Sequence, residues 1–144
     1  MDQISISTQF DDIDIDLVHC VLSKSYWSKG IPKDVMVKGM QHSLCFSALT
    51  PEGRQVGFAR MITDRATFAY LADVFVVEAY QGKGVSRLIL DSIANHSELQ
   101  GLRRMMLATR DAHDLYKKYG FEKIENPEIF MQSWNPDVYK SNVN

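Results

Sequence analysis

Two cysteines in a chain of 144 residues leave little scope for disulfide chemistry. Cys20 and Cys45 stand far apart and lack CxxC spacing, so neither a disulfide framework nor a zinc site is expected, and a reducing, cytoplasmic setting fits best. Long apolar runs are also missing. None approaches the ~18 residues of a membrane-spanning helix, and the acidic start MDQISISTQFDDID has no apolar signal-peptide core. Nor is there an excess of positive charge. Sixteen Lys and Arg face eighteen Asp and Glu, for a net charge of -2, which gives a nucleic-acid partner no electrostatic support. Internal repeats, low-complexity tracts and Pro-, Gly- and Ser-rich linkers are absent. No His, Cys, Asp and Glu residues cluster at metal-ligand spacing, so no metal is expected.

What remains is the composition of an ordinary globular protein, 45% apolar and 24% charged. Its length suits one domain, residues 1–144, with a loose tail from Pro136 onward. Ile4 to Thr8 alternates as a short edge strand. Asp11, Asp12 and Asp14 supply N-cap candidates for a helix carrying Leu17, Val18, Val21 and Leu22 on one face. Asp11, Asp12, Asp14 and Asp16 can also be read as a lure for a cationic substrate, although capping and a solvated face explain them more simply. Gly30-Ile31-Pro32 breaks the chain before a second helix over Lys33 to Gln41. Strands follow at Leu44 to Leu49, Gln55 to Thr63 and Thr67 to Val77, joined by the turns Thr50-Pro51-Glu52-Gly53 and Asp64-Arg65. Val85, Leu88, Ile89 and Ile93 have helical spacing, and Met105 to Thr109 reads as a buried strand. A helix bearing Ala112, Leu115, Tyr116 and Tyr119 ends at Gly120, which suits a left-handed C-cap. Two final strands are expected at Phe121 to Ile124 and Ile129 to Trp134.

Two segments carry chemistry. After the strand ending at Val77 comes Gln81-Gly82-Lys83-Gly84-Val85-Ser86, opening a helix. Such a turn presents unpaired N–H groups and the positive end of the helix dipole to an anion, and its small residues allow close approach. A plain strand-to-helix turn with solvated basic residues is the simpler alternative. Downstream lies Thr109-Arg110-Asp111-Ala112-His113-Asp114-Leu115-Tyr116-Lys117-Lys118-Tyr119-Gly120-Phe121.

In these two motifs and their order the chain resembles the GNAT superfamily of acetyl-CoA-dependent N-acetyltransferases. The family's pyrophosphate loop reads Gln/Arg-x-x-Gly-x-Gly/Ala, and here it runs from Gln81 to Ser86. The family's last helix often reads Asn-x-x-Ala-x-x-x-Tyr-x-x-x-Gly-Phe, matched from Thr109 to Phe121. Ser86 replaces the usual Gly or Ala and narrows the approach of a phosphate. Thr109 replaces a common Asn and so removes an amide contact to the pantetheine arm.

The resemblance implies an α/β (α+β) fold, with a mixed, mainly antiparallel sheet of six to seven strands, splayed at the cofactor site, and about four helices on its faces. It implies that the amides of Gln81, Gly82, Lys83, Gly84, Val85 and Ser86 bind the pyrophosphate of acetyl-CoA. Lys83 and Arg87 would reach the 3′-phosphate, and Thr109 would lie beside the pantetheine. Backbone groups near Phe75, Val76 and Val77 would pair with pantetheine as an added strand. A nearby N–H would polarise the thioester carbonyl, a contribution of roughly 3–4 kcal/mol in other enzymes. Tyr116 would be the general acid. Transfer from a phenol near ~10 to a thiolate near ~8.5 is uphill by only roughly 2 kcal/mol. Spacing alone would instead place Tyr116 on a buried helical stripe.

For the base, Asp73 is the first candidate, since strand alternation puts it on one face with Phe75 and Val77. A carboxylate is a weak base for an alkyl ammonium, so it would bind the ammonium and pass its proton through water. The bland alternative is a hydrogen-bonded structural carboxylate. Glu78 is second, and His113 is expected to project away from Tyr116. Tyr26 and Trp27, in the connection with Lys29 and Gly30, would border the acceptor as an apolar or cation-accepting wall, or simply cover the sheet.

The implied activity moves an acetyl group to a small-molecule, peptide or protein amine by direct attack in a ternary complex. A non-catalytic acyl-CoA sensor is the rival. A doubly wound dinucleotide binder is disfavoured by the antiparallel meander before the glycine loop. Final strands that pair across subunits would make a homodimer.

Overall fold

Asp14 starts the first helix by accepting a 3.1 Å hydrogen bond from the Leu17 N–H. Similar local chemistry sets the order of elements in the computed structural model, which describes residues 3–140. They are β1 (Ser5–Ser7), α1 (Ile15–Ser23), α2 (Lys33–Gln41), β2 (Leu44–Leu49), β3 (Gln55–Thr63), β4 (Phe68–Val76), α3 (Val85–Asn95), β5 (Arg104–Leu107) and α4 (His113–Lys117), with short 3-10 turns between them. The strands lie in the order β1-β2-β3-β4-β5. The first four run antiparallel, and β5 joins β4 in parallel across the α3 crossover.

Each face of the sheet has its own core. Phe46, Ala48, Val56, Ala59 and Met61 pack under Val85, Ile89, Leu90 and Ile93 of α3. Cys45 and Phe58 pack under Val18 and Leu22 of α1 and Met36 and Met40 of α2. Gly57 lets α3 sit directly on β3. A Cβ there would meet Ile89 Cδ1 and Val85 Cγ1 at 3.2 Å and Ala48 Cβ at 3.3 Å.

The sheet has five strands, not the six to seven expected. Phe121 to Ile124 forms no ladder, and Ile129 to Trp134 begins in a 3-10 turn over Pro127–Ile129 and continues without pairing. Pro127 has no N–H to donate, and among the described residues no strand pairs with the outer edge of β5: the segment from Phe121 to Pro127 shares a groove with Met105 to Ala108 without a ladder. Ile129, Met131 and Trp134 are consequently exposed. Within the expected tail, a turn closes through the Val138 N–H on the Asn135 carbonyl at 3.3 Å. Residues 141–144 of that tail lie outside the described residues.

Candidate active site

The site begins where β4 and β5 part. Their ladder runs from Phe68–Arg104 to Leu71–Leu107 and stops, while β4 continues to Val76 still paired with β3. β5 ends at Leu107, so the edge of β4 beyond Leu71 has no strand beside it, and a β-bulge follows there. Ala72 faces Arg60 and Phe75 faces Phe58, so Asp73 and Val74 together oppose Ala59. Asp73 takes a left-handed φ of 59° there. β4 ends at Val76, so strand alternation no longer governs Val77, the N-cap of the turn that follows. Asp73 and Phe75 share the α1–α2 face as expected, but Val77 packs in the α3 core.

Beyond β4, Glu78–Tyr80 forms a 3-10 turn, and Gln81 locks it by donating Nε2 to the Val76 carbonyl at 2.9 Å. Gly82 and Gly84 have φ of 75° and 84°, and a Cβ at either would meet nothing within 4 Å. Glycine is required there by backbone conformation, and the space in front is open. The amides of Gly82, Lys83, Gly84, Val85, Ser86 and Arg87 make no normal hydrogen bond within the described chain. They face the start of α3, beside a groove of about 550 Å³ lined by Gly82, Gly84, Ser86 and Arg87. This concentration of free donors fits a diphosphate.

The structure redistributes some expected roles. Lys83 Nζ lies 5.3 Å from the Tyr80 ring centroid, and Arg54 approaches the same ring at 5.8 Å while donating to its hydroxyl at 3.2 Å. The Val85 side chain is core, which leaves its amide for a ligand. Phe75 packs against Phe58 with ring centroids 6.0 Å apart. The Val76 carbonyl already accepts from Gln81, and the Val77 N–H donates to the Val56 carbonyl at 2.9 Å. Val77 therefore closes the sheet, and its N–H is not an open edge donor.

Both Asp73 oxygens are engaged. Trp27 Nε1 donates to Oδ1 at 2.9 Å and Arg60 Nε to Oδ2 at 2.8 Å. Arg60 Nη1 donates on to Ser43 Oγ at 3.0 Å, which donates to the Gly39 carbonyl at 2.7 Å. Arg60 was missed at the sequence level. Its signal is a lone cation inside the apolar run Val56 to Ile62, where a buried charge needs a partner. Trp27 meets Tyr26 edge-on at 5.0 Å, and Arg110, also missed, lies 3.7 Å over the Tyr26 ring.

Tyr116 stands opposite on α4. Gly120 and Phe121 end this helix with N–H bonds to Lys117 and Tyr116 at 3.1 and 3.2 Å, the Schellman pattern, with Gly120 at φ 89°. Phe121 then packs edge-on to Tyr116 at 5.9 Å. The Tyr116 ring is buried, yet its hydroxyl has no hydrogen-bond partner among the described residues and is not sealed from solvent. Burial, and secondarily the neighbouring Tyr26 phenol, raise its pKa above the ordinary tyrosine value. Tyr116 lines a groove of about 900 Å³ with Met105 to Thr109 and His113. His113 thus shares the groove and does not project away from it, since positions three apart on a helix are neighbours. Thr109 Oγ1 accepts from the Ala112 N–H at 3.1 Å and shapes the turn into α4.

Other candidates have structural roles. Glu78 is exposed and makes no hydrogen bond or ion pair with Tyr116 or Trp27. Asp12 accepts from Ser7 Oγ, Asp14 caps α1, and Asp16 pairs with Lys33 at 2.6 Å, so these three do not form a free acidic lure. Burial pushes the Cys45 thiol up to about 12, which makes it a poor nucleophile.

Known proteins share this fold and much of this sequence. The family described as an acetyltransferase (GNAT) domain matches residues 12–133. A protein of Xanthomonas campestris pv. campestris, xcc2953, whose structure was solved as a proposed GNAT-family acetyltransferase, is 45% identical and superposes with a TM-score of 0.92 over 96% of this chain and 98% of that one. A proposed acetyltransferase of Gibberella zeae, FG08082, is 32% identical over 78% of this chain and 75% of its own length. A probable acetyltransferase of Staphylococcus aureus, SA2161, shares the fold at a TM-score of 0.71 with 21% identity, covering 92% of this chain and 99% of that one. With the family match spanning most of the sequence, the chain belongs to the GNAT family of acetyltransferases.

Proposed function

We propose that this protein is an N-acetyltransferase, a single domain acting in the cytoplasm, that moves the acetyl group of acetyl-CoA to an amine by direct attack in a ternary complex. The observation that carries this reading is the run of unpaired amides from Gly82 to Arg87 at the start of α3, with Tyr116, whose hydroxyl has no partner among the described residues, lining a groove with Met105 to Thr109 at the end of β5. Acetyl-CoA, when bound, supplies an activated thioester. The amides of residues 82–86 would hold its diphosphate, and the open edge of β4 before Val77 would align its arm. Arg87 lines the same groove and adds a mobile cation. Thr109 borders the arm with a hydroxyl that can still donate.

Tyr116 keeps its proton through the neutral range and gives it to the departing thiolate. Asp73 acts as an anchor. With Trp27 and Arg60 on its two oxygens it fixes the aromatic wall and leaves the ammonium proton to solvent. No sulfur nucleophile is involved.

The test is release of free thiol from acetyl-CoA in the presence of a broad amine panel, with CoA binding measured separately by calorimetry. Amine-dependent release supports the enzyme. Tight CoA binding with no transfer to any amine overturns it in favour of a sensor.

We carry the homodimer in the same reading. The open edge of β5 and the exposed Ile129, Met131 and Trp134 of the last segment support self-association.

A further inference from the structure

Two arginines reach the cluster of Tyr26, Trp27 and Asp73 in different electrostatic states. Arg60 carries its own counter-ion, the Asp73 carboxylate at 2.8 Å. Arg110 forms no ion pair among the described residues. Its guanidinium lies 3.7 Å from the centroid of Tyr26. A guanidinium set over a ring uses its π face for the contact and keeps its in-plane N–H donors for other partners.

Tyr26 fixes where that cation stands. The ring meets Trp27 edge-on at 5.0 Å, and Trp27 bonds Asp73 on the β4 bulge at 2.9 Å. The Tyr26 phenol is also near enough to Tyr116 to disfavour ionisation of that hydroxyl. The connection after α1 therefore spans the gap from the β4 bulge to the loop that carries Arg110, beside Tyr116. Asp73, the carboxylate that Trp27 bonds, is closed by two donors, and Asp111 and Asp114, which follow Arg110 in the chain, form no ion pair with that arginine. The N-terminal aspartates Asp12, Asp14 and Asp16 are committed to Ser7, the α1 cap and Lys33. Among the described residues the Arg110 fork is thus left without an ion pair beside Tyr26 and the Trp27–Asp73 bond.

We propose that Arg110, held over Tyr26, binds an oxyanion on the acceptor, so that the substrates are amines carrying a carboxylate or phosphate group. This rests on the N-acetyltransferase reading and narrows it. The planar fork matches a carboxylate through two parallel N–H donors and matches two oxygens of a phosphate in the same way. The fixed stack lowers the entropy lost on binding. A merely cation-accepting wall would instead favour amines with no anionic group, whose ammonium the Arg110 guanidinium repels and whose atoms leave its donors unmet.

The experiment compares matched acceptors. Glycine, β-alanine and the L-amino acids are assayed against their amides, and ethanolamine phosphate against ethanolamine. The wild-type protein is expected to prefer the anionic member by about 10- to 100-fold in kcat/KM, mainly through KM. In Arg110→Ala this ratio falls to about one, and Arg110→Lys keeps part of it. The amino-acid and ethanolamine arms separate carboxylate from phosphate. A wild-type ratio near one, or a ratio unchanged in Arg110→Ala, overturns the inference while leaving acetyl transfer intact. If CoA binds but no acceptor is acetylated, the catalytic reading fails. Thermal-shift titration of the same pairs then decides Arg110 by itself: selective stabilisation by the anionic member that disappears in Arg110→Ala supports it, and equal stabilisation overturns it.

Discussion

Trp27 and Asp73, forty-six residues apart in sequence, are joined by an indole-to-carboxylate hydrogen bond of 2.9 Å. This bond ties the connection after α1 to the bulge in β4. It makes the aromatic wall and the bulged strand one unit, and it gives Asp73 a role that alternation along a strand does not reveal.

Removing the Asp73 carboxylate should therefore cost stability before it costs chemistry. In Asp73→Ala the Arg60 guanidinium, 20% exposed, loses its counter-ion, and the variant is expected to lose on the order of 3 kcal/mol in urea unfolding. Replacing both residues, Arg60→Met with Asp73→Ala, should recover part of that loss. An Asp73→Ala protein with wild-type stability and abolished turnover would make Asp73 a base instead of an anchor.

Tyr116→Phe keeps the ring and its edge-on contact with Phe121 but removes the proton donor. Turnover should fall by about 100-fold or more, with CoA affinity unchanged in calorimetry. Equal loss of affinity and turnover would mark a packing role.

The pH profile has a definite sign. The acid form of Tyr116 is needed, and burial raises its pKa, so that form persists at neutrality and is lost only as pH climbs through the raised value. The rate should rise with pH as the acceptor amine loses its proton. It should decline only above the ordinary tyrosine value of about 10. A decline beginning near pH 8 that survives in Tyr116→Phe would assign the acid elsewhere.

At the loop, Gly84→Ala forces a side chain onto a φ of 84°. The strain should cost about 1–2 kcal/mol of stability. It should also weaken CoA binding by about 10-fold as the amides shift. Undiminished affinity would mean that these amides do not hold the diphosphate.

The homodimer is tested by light scattering across concentration. A mass of twice the chain is expected, and Met131→Ser with Trp134→Ser should shift it toward monomer. A wild-type monomer at every concentration rejects the dimer.

Much of the fold was legible because local signals agreed with one another. Asp14 capped, Gly120 closed a helix in the left-handed region, and apolar spacing located α3. The final strands misled because β-branched and aromatic residues from Phe121 to Trp134 mark strand propensity, whereas a strand also needs a neighbour to pair with. Val77 was placed on the wrong face because β4 ends at Val76, and alternation does not carry into the turn that follows. In the site, Gly82, Gly84 and Tyr116 were visible as motif positions. Arg60 and Arg110 were not, because each acquires meaning only from a partner far away in sequence, Asp73 for one and Tyr26 for the other.

The most direct test of the central claim is a crystal structure grown with coenzyme A. The account predicts a diphosphate within hydrogen-bond distance of the amides of Gly82 to Ser86, and a thiol arm lying between β4 and β5 with its sulfur beside the Tyr116 hydroxyl. Coenzyme A bound away from that loop, or a sulfur out of reach of Tyr116, would contradict it.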